Sequence, residues 1–579
     1  MTPKTRTWTV FVSLLLALPG CSETDLRWTE ARFRTDFEAG LNADMGWAEP
    51  AEAQSGTVPT VHADHPFRLR VEVEASSPGS ALGLQVRRND GPWTDVLARD
   101  FPYPDEISTP PVSIVSPEAW APGTPTRDLL QTSTAEFGGG AGLGLDSLSG
   151  PVPAGQSEWE WPLVIRRWAD GAVMMESGDT FELRLVDEAG NPVAGVGPAA
   201  VRLRVPEGHL GGTYPETPGR LGPWQSSDGR LWFPMEPAET YNVLMMMSSD
   251  DGGRTWTEVD GDNRPVTDDL EGFATAYRDG TIHILHQISE RVVYHAFSTS
   301  DAPGESAGWS IRDELVAEHP EPPVQAASLE ALSDGSLVAV FASGNRIEIR
   351  TRAPGGGWTP ADTLVGSSPE GWILSGPQTT VVPEDVVHVA WTETNGSTGR
   401  VHYGTLSREG VLGPRTVVAE NLAGREADVG SVAPLVYLPE TGEVVVVWRQ
   451  ADGRLAERRI TSQGTLAPMA LVNDHAVTQN AVDSDQVGAD LVGYQGRVHL
   501  LFLDQETGGI YHTESPGAGV WTPAEAVVTG IRGQWVRGQP VSTEDGRTVY
   551  GFVYDAGSDG GSGMNRYGEY DLGREPPRP

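Results

Sequence analysis

Lysine is almost missing from this chain: Lys4 is the only one in 579 residues. Schiff-base chemistry and Walker-type phosphate loops are therefore excluded for any mature chain that starts after it. Cysteine is equally scarce. Cys21 stands alone, so no intramolecular disulfide can form and each domain must rest on its core. Positive charge is in short supply, with 41 Lys and Arg against 80 Asp and Glu, for a net charge of −39. A surface this acidic repels nucleic-acid phosphates and anionic lipid headgroups, which excludes nucleic acid as a partner. No stretch reaches the roughly 18 consecutive apolar residues of a transmembrane helix. What is abundant is 69 Gly, 45 Pro and 18 Trp. Such a profile suits a β-rich, turn-rich secreted protein of two to four domains.

The amino terminus has a basic n-region, Lys4 and Arg6, then an apolar stretch from Trp8 to Leu18. That stretch is too short to span a bilayer but suits a signal-peptide h-region. It ends in Leu18-Pro19-Gly20-Cys21, which resembles the bacterial lipoprotein box. The resemblance implies that 1–20 is a cleaved signal peptide and that Cys21 is lipidated. Ser22, in place of the Asp that marks inner-membrane retention, implies the outer membrane. Partners then include the membrane itself, through the lipid.

Residues 21–60 are polar and read as a tether. From 61 to 206, period-two segments alternate with Gly/Pro turns: Phe67–Val73, Leu82–Val86, Phe181–Val186 and Val201–Val205, with further strands around Trp93–Leu97 and Trp161–Ile165. Several short strands with no helical period predict a β-sandwich, immunoglobulin-like in architecture. The run Gly138–Gly142 reads as a loop within it.

From 207 to 579 a repeat decides the fold class, which is all-β. Seven turns precede hydrophobic strands, at Gly229, Gly280, Gly335, Asp385, Gly442, Gly496 and Gly546, spaced 50 to 57 residues apart. Six residues after each turn stands Met235, His286, Phe341, Trp391, Trp448, Phe502 or Phe552. These strands are apolar on both faces, as strands sandwiched between layers are. Four strands per unit at a period near 50 predict a β-propeller of seven blades, with six as the alternative. The last unit lacks a clear fourth strand, and a segment from before residue 222 is expected to complete it.

Ser249-Asp250-Asp251-Gly252-Gly253-Arg254-Thr255-Trp256 matches the Asp-box, written Ser-x-Asp-x-Gly-x-Thr-Trp. Degraded copies follow at Ser300-Asp301 with Trp309, at Gly357-Trp358 and at Gly519-Val520-Trp521. The propeller half thus resembles the sialidase-like (bacterial neuraminidase repeat) superfamily. The resemblance implies structural roles for Ser249, Asp251, Gly253, Thr255 and Trp256: capping a tight hairpin, supplying a positive φ and packing between blades. A sialidase would also need an arginine triad, a Tyr–Glu pair and an acid/base Asp. Its aromatic-Arg-Ile-Pro motif is absent from this sequence. Pro66-Phe67-Arg68-Leu69 is only superficially similar, and the nearest propeller arginines, Arg220 and Arg278, lack the context.

Other constellations read as structural. His283, His388 and His499 share one repeat offset, and His295, His402 and His512 another, as recurrent strand positions. Asp260, Asp262, Asn263, Asp268 and Asp269 could hold calcium through oxygen ligands, but lack EF-hand spacing, so no metal or cofactor is assigned. Gly557–Gly563 opens no helix, and the Asn395-Gly396-Ser397 sequon is uninformative behind a bacterial signal. No catalytic residues are assigned. Three function classes remain: a binding module for a glycan or envelope protein, a glycoside hydrolase, and a structural envelope scaffold. The first is favoured. Trp391, Trp448 and Arg449, near strand ends, are the candidate ligand-binding residues.

Overall fold

The computed structural model describes residues 26–35, 39–48, 58–98, 111–115, 120–130, 142–143, 148–169, 173–211, 219–236, 243–261, 264–266, 273–288, 291–300, 308–318, 327–343, 346–360, 362–365, 371–395, 397–423, 433–477, 488–517, 519–533, 535–556 and 565–574. Cys21, the signal segment, the Gly-rich run 557–563 and all but Gly142 of the run 138–142 lie outside them. Every regular element among the described residues is a strand.

Among the described residues, two large sheets and the two-stranded pair of Trp168–Ala169 with Val173–Met174 build the N-terminal part. One runs Ala194–Gly195, Leu26–Arg34, Phe67–Ala75, Gly155–Ile165, Val112–Ile114, Leu97–Ala98, with Gly142–Leu143 also on Gly155–Ile165. The other runs Thr60–His62, Ala199–Arg204, Thr180–Asp187, Leu82–Arg88, Thr94–Asp95. Alternate residues converge on one core: Phe67, Leu69, Val71, Trp159 and Trp161 from the first sheet meet Leu84, Val86, Phe181 and Leu183 from the second. One expectation is corrected here. Residues 26–34, read as tether, form an inner strand paired with Phe67–Ala75. Trp28 and Phe33 join the core. The polar letters of LRWTEARFR concealed a period-two apolar set, Trp28, Ala31 and Phe33, broken by a bulge between Trp28 and Glu30.

The opposite face of that sheet is also buried, which alternation alone does not reveal. Arg34, Arg68, Arg70, Glu158 and Glu160 are all fully enclosed. Arg70 bonds Glu158 at 2.6 Å and Glu160 at 2.7 Å, and Arg68 lies 3.0 Å from Glu160. Trp47 and Trp120 roof the cluster, with guanidinium carbons 4.1 and 4.8 Å from their ring centroids. Burying so many charges is tolerable only because they are paired.

Among the described residues beyond 220 lie seven sheets in sequence order, within 224–258, 273–318, 327–365, 373–423, 435–476, 489–528 and 536–571. The first six have four strands and the last three, all antiparallel and in up-and-down order. The first strand of each sheet from the second onward packs on the first strand of the next, and the first strand of the seventh returns to that of the first. The sheets therefore close a propeller-like ring. The double-sided apolarity of the second strands has a direct cause. In Leu337–Ser343, Leu337, Ala339 and Phe341 pack with the second sheet, while Val338 and Val340 pack with the fourth. All seven turn positions of the repeat have φ between 60° and 89°. This left-handed region admits Gly freely and Asp at modest cost, which explains the recurrence.

At the fourth position of the last sheet the linker between the two parts makes an isolated antiparallel bridge, His209 opposite Arg566. Tyr567 N–H donates to Gly208 O at 2.7 Å, and Leu210 N–H donates to Asn565 O at 2.8 Å. Gln225 adds a side-chain bridge across the same seam, donating to Ser542 O at 2.7 Å and accepting from Ser542 N–H at 2.8 Å.

Candidate functional site

The first strands line the ring axis, so their side chains meet there. Gly219, Arg220, Ser328, Glu330, Gln378, Thr379, Asp490 and Arg537 surround a small axial cavity of about 30 Å³. Arg220 Nη1 lies 3.6 Å from Glu330 Oε1, and its Nη2 donates to Thr379 O at 3.4 Å. Thr379 Oγ1 donates to Glu330 Oε1 at 3.0 Å. Across the axis, Asp490 Oδ2 accepts both the Tyr550 hydroxyl and the Gly538 N–H at 2.8 Å. Arg537 Nε donates to Gly219 O at 3.2 Å, and its Nη1 to Val536 O at 2.7 Å. Gly219 is required by close approach: a Cβ there would sit 2.5 Å from Phe273 O.

Burial pushes the Glu330 carboxyl up, against the opposing pull of Arg220 and Thr379. It does the same to Asp490, against Arg537, Tyr550 and Gly538. Tyr550 is pushed well up by burial, and further by the Asp490 charge. The axis thus carries two arginines, two carboxyls biased toward protonation, and a phenol. A cavity of this size admits one water and not a sugar ring. The side chain of Arg220, one-third exposed, is the reachable guanidinium there.

The sequence singled out different residues. Trp391 is 0% exposed and Trp448 2%. Both are inter-sheet core, Trp391 against Val338, Val340 and Val389, and Trp448 against Val446 and Ala456. Their position near strand ends suggested access, but the neighbouring sheet covers them. Arg449 is partly exposed and lies away from the axis, its Nε donating to Val477 O at 2.9 Å. Arg278 donates to Ser333 O in a peripheral turn. Of the arginines considered, only Arg220 reaches the axis. Glu330, Asp490, Arg537 and Tyr550 escaped the reading because they are spread over three separate repeats, with Arg537 and Tyr550 on neighbouring strands of the seventh sheet, and share no motif.

The Asp-box residues are assembled in one hairpin. Ser249 Oγ donates to Asp251 at 2.9 Å and accepts Gly253 N–H at 2.8 Å. Asp251 accepts Thr255 N–H at 2.9 Å and its hydroxyl at 2.7 Å. Trp256 is buried against Tyr567, with ring centroids 5.7 Å apart. This hairpin borders an open groove of about 1120 Å³ at the seam of the first and seventh sheets, away from the axis.

The histidines do not converge. His283 bonds the Tyr294 hydroxyl at 2.7 Å, His388 bonds that of Tyr403, and His499 Nδ1 lies 3.2 Å from His512 Nε2. Each set stays within one sheet, and burial lowers His283, His388 and His499 to about 4. Asp260 is saturated by Met246 N–H, Trp309 Nε1 and Arg264 Nε at 2.9 to 3.0 Å, and Asp262, Asn263, Asp268 and Asp269 lie outside the described residues. Glu72, Asp128 and Glu158 place carboxylate oxygens within 4.8 Å of one another. Glu158, however, already accepts Arg70 and the Leu129 and Leu130 N–H groups, which leaves it little capacity for a metal.

No family model matches the sequence, and no curated protein matches it. Among solved structures, the chain is similar to the polysaccharide lyase Uly1 at 10% identity and TM-score 0.40, covering 61% of this chain and 90% of that one. It is similar to a fucose-specific lectin from Aleuria aurantia at 12% identity and TM-score 0.34, covering 52% and 95%. A third is an α-L-arabinanase from Penicillium chrysogenum, at 12% identity and TM-score 0.34, covering 63% and 97%. At these scores the ring rests on its own strand order and contacts.

Proposed function

We propose that this chain is a bacterial envelope protein, anchored in the outer membrane through a lipid on Cys21, whose propeller binds a glycan at its axis. In this reading the ring has seven blades of the sialidase-like type and stands behind an immunoglobulin-like sandwich. The observation that carries the proposal is the axial cluster of Arg220, Glu330 and Asp490. Arg220 holds its present partners at 3.4 to 3.6 Å, long contacts that a ligand oxygen can replace. The carboxyls, raised by burial, can both donate to and accept from sugar hydroxyls.

The test is a glycan array probed with purified residues 22–579. Arg220→Ala should lose at least about tenfold in affinity, the scale of one charge-assisted hydrogen bond. Arg449→Ala should bind as the parent does. Absence of any glycan ligand, or equal binding by Arg220→Ala, would sink the proposal. Palmitate labelling that persists in Cys21→Ala would refute the anchor.

A hydrolase reading has one observation in its favour, the pair of raised carboxyls at the axis. A general acid of this kind needs an elevated pKa. Release of reducing ends from a glycan that binds, abolished in Glu330→Gln with binding retained, would establish it. Binding with no turnover would exclude it.

A further inference from the structure

The two parts of the chain meet around the strand that closes the ring, and the contacts there are those of a lock. Gly208–Leu210 borders the seventh sheet, bridging it at His209 opposite Arg566, and His209 is 1% exposed. The imidazole Nε2 lies 2.8 Å from Asp64 Oδ2 of the N-terminal part. Burial holds His209 below the ordinary imidazole range, against the pull of Asp64, so a neutral ring donates Nε2–H to the carboxylate. The other Asp64 oxygen accepts Arg167 N–H at 3.0 Å. Asp64 itself has φ 56°, a conformation that persists where its surroundings over-determine it.

Two further ties run from the same edge of the N-terminal part. Arg167 Nη2 donates to Trp256 O at 2.8 Å, reaching the Asp-box hairpin of the first sheet. Trp168 Nε1 donates to Leu210 O at 3.0 Å, and its ring is fully part of the first-sheet core with Trp232, Met246 and Trp256. The approach is tight enough that a Cβ on Gly211 would sit 2.5 Å from Arg167 Cβ.

We propose that the N-terminal domain is the clasp of the propeller ring: through Asp64, Arg167 and Trp168 it positions Gly208–Leu210 and thereby joins the first and seventh sheets. Ring closure in propellers needs only a strand. Here the closing segment pairs through a single bridge, His209 opposite Arg566, and is held by groups of another domain, so the two domains open and close together. The groove of about 1120 Å³ at the seam, bordered by Glu207, Gly208, Arg254 and Tyr567, keeps its shape only while the clasp is shut. This inference stands independently of the axial site.

Amide hydrogen exchange on residues 22–579 tests it. In Asp64→Ala, exchange at Tyr567 and Leu210 should rise at least about tenfold, while amides of Val387–Thr394 on the far side of the ring stay unchanged. His209→Gln can still donate to Asp64 and should stay within about threefold of the parent. If Asp64→Ala does not fold, Arg167→Met, which removes only the guanidinium ties, should give the same local pattern. Unchanged exchange at the seam in the folded variant, or an equal rise in every sheet, overturns the proposal.

Discussion

Acid should weaken this protein through a buried histidine, and the size of the effect follows from the structure. His295 is 0% exposed, in the second sheet of the ring. Its Nδ1 accepts the Asp313 N–H at 3.0 Å, so protonation at that nitrogen must break the bond and charge a ring sealed from water. Burial lowers its pKa to about 3. The unfolded value is near 6.5, so the folded state resists a proton that the unfolded state takes up. The stability this provides is complete above pH 6.5 and is lost as pH falls toward 3. At pH 5 the loss from this one residue is about 2 kcal/mol, at 1.36 kcal/mol per pH unit below 6.5. His295→Gln has no such titration. Urea unfolding of both proteins at pH 7.5 and pH 5 should show the parent losing about 2 kcal/mol more than the variant over that interval. Comparing the two cancels the carboxyls, such as Glu330 and Asp490, whose raised pKa values act in the opposite direction. Equal losses would refute the assignment of His295 as a buried neutral base.

Other outcomes follow from the packing. Trp391→Ala should cost about 3–5 kcal/mol, read as a lowered denaturation midpoint, because the ring fills a core shared by the third and fourth sheets. It should leave the affinity for any axial ligand unchanged, whereas a ligand-contacting tryptophan would show the reverse. Arg70→Met should destabilise the N-terminal domain by about 3–5 kcal/mol in chemical unfolding, because buried Glu158 loses its guanidinium partner while Glu160 keeps Arg68. Asp251→Ala removes the acceptor for Ser249 and Thr255 and should lower stability by about 1–2 kcal/mol without altering the axial cluster.

The ring was legible because its repeat is local chemistry. A left-handed turn accepts Gly, and at Asp385 an Asp, and the strand after it must be apolar on both faces to lie between two sheets. Both requirements leave marks in consecutive letters. The hairpin Ser249–Trp256 was legible for the same reason, since its hydrogen bonds run between residues four or fewer apart. The strand Leu26–Arg34 was not, because its apolar positions are interrupted by a bulge and interleaved with charges that another part of the fold covers. For Trp391 and Trp448 the sequence left ligand contact and inter-sheet core both open, because residue type signals that an aromatic must be buried or used, and only the neighbouring sheet decides which.

By itself, the sequence determined the all-β class, the spacing of the sheets, the hairpin around Asp251 and a net charge of −39. Each of these depends on composition or on contacts within a few residues. Tertiary structure alone decided that Arg220, Glu330, Asp490, Arg537 and Tyr550 share an axis, and that Asp64 grips a histidine 145 residues away. Ring closure brings distant repeats together, and the burial it creates sets which charges are biased toward neutrality, which are paired and which remain partly exposed.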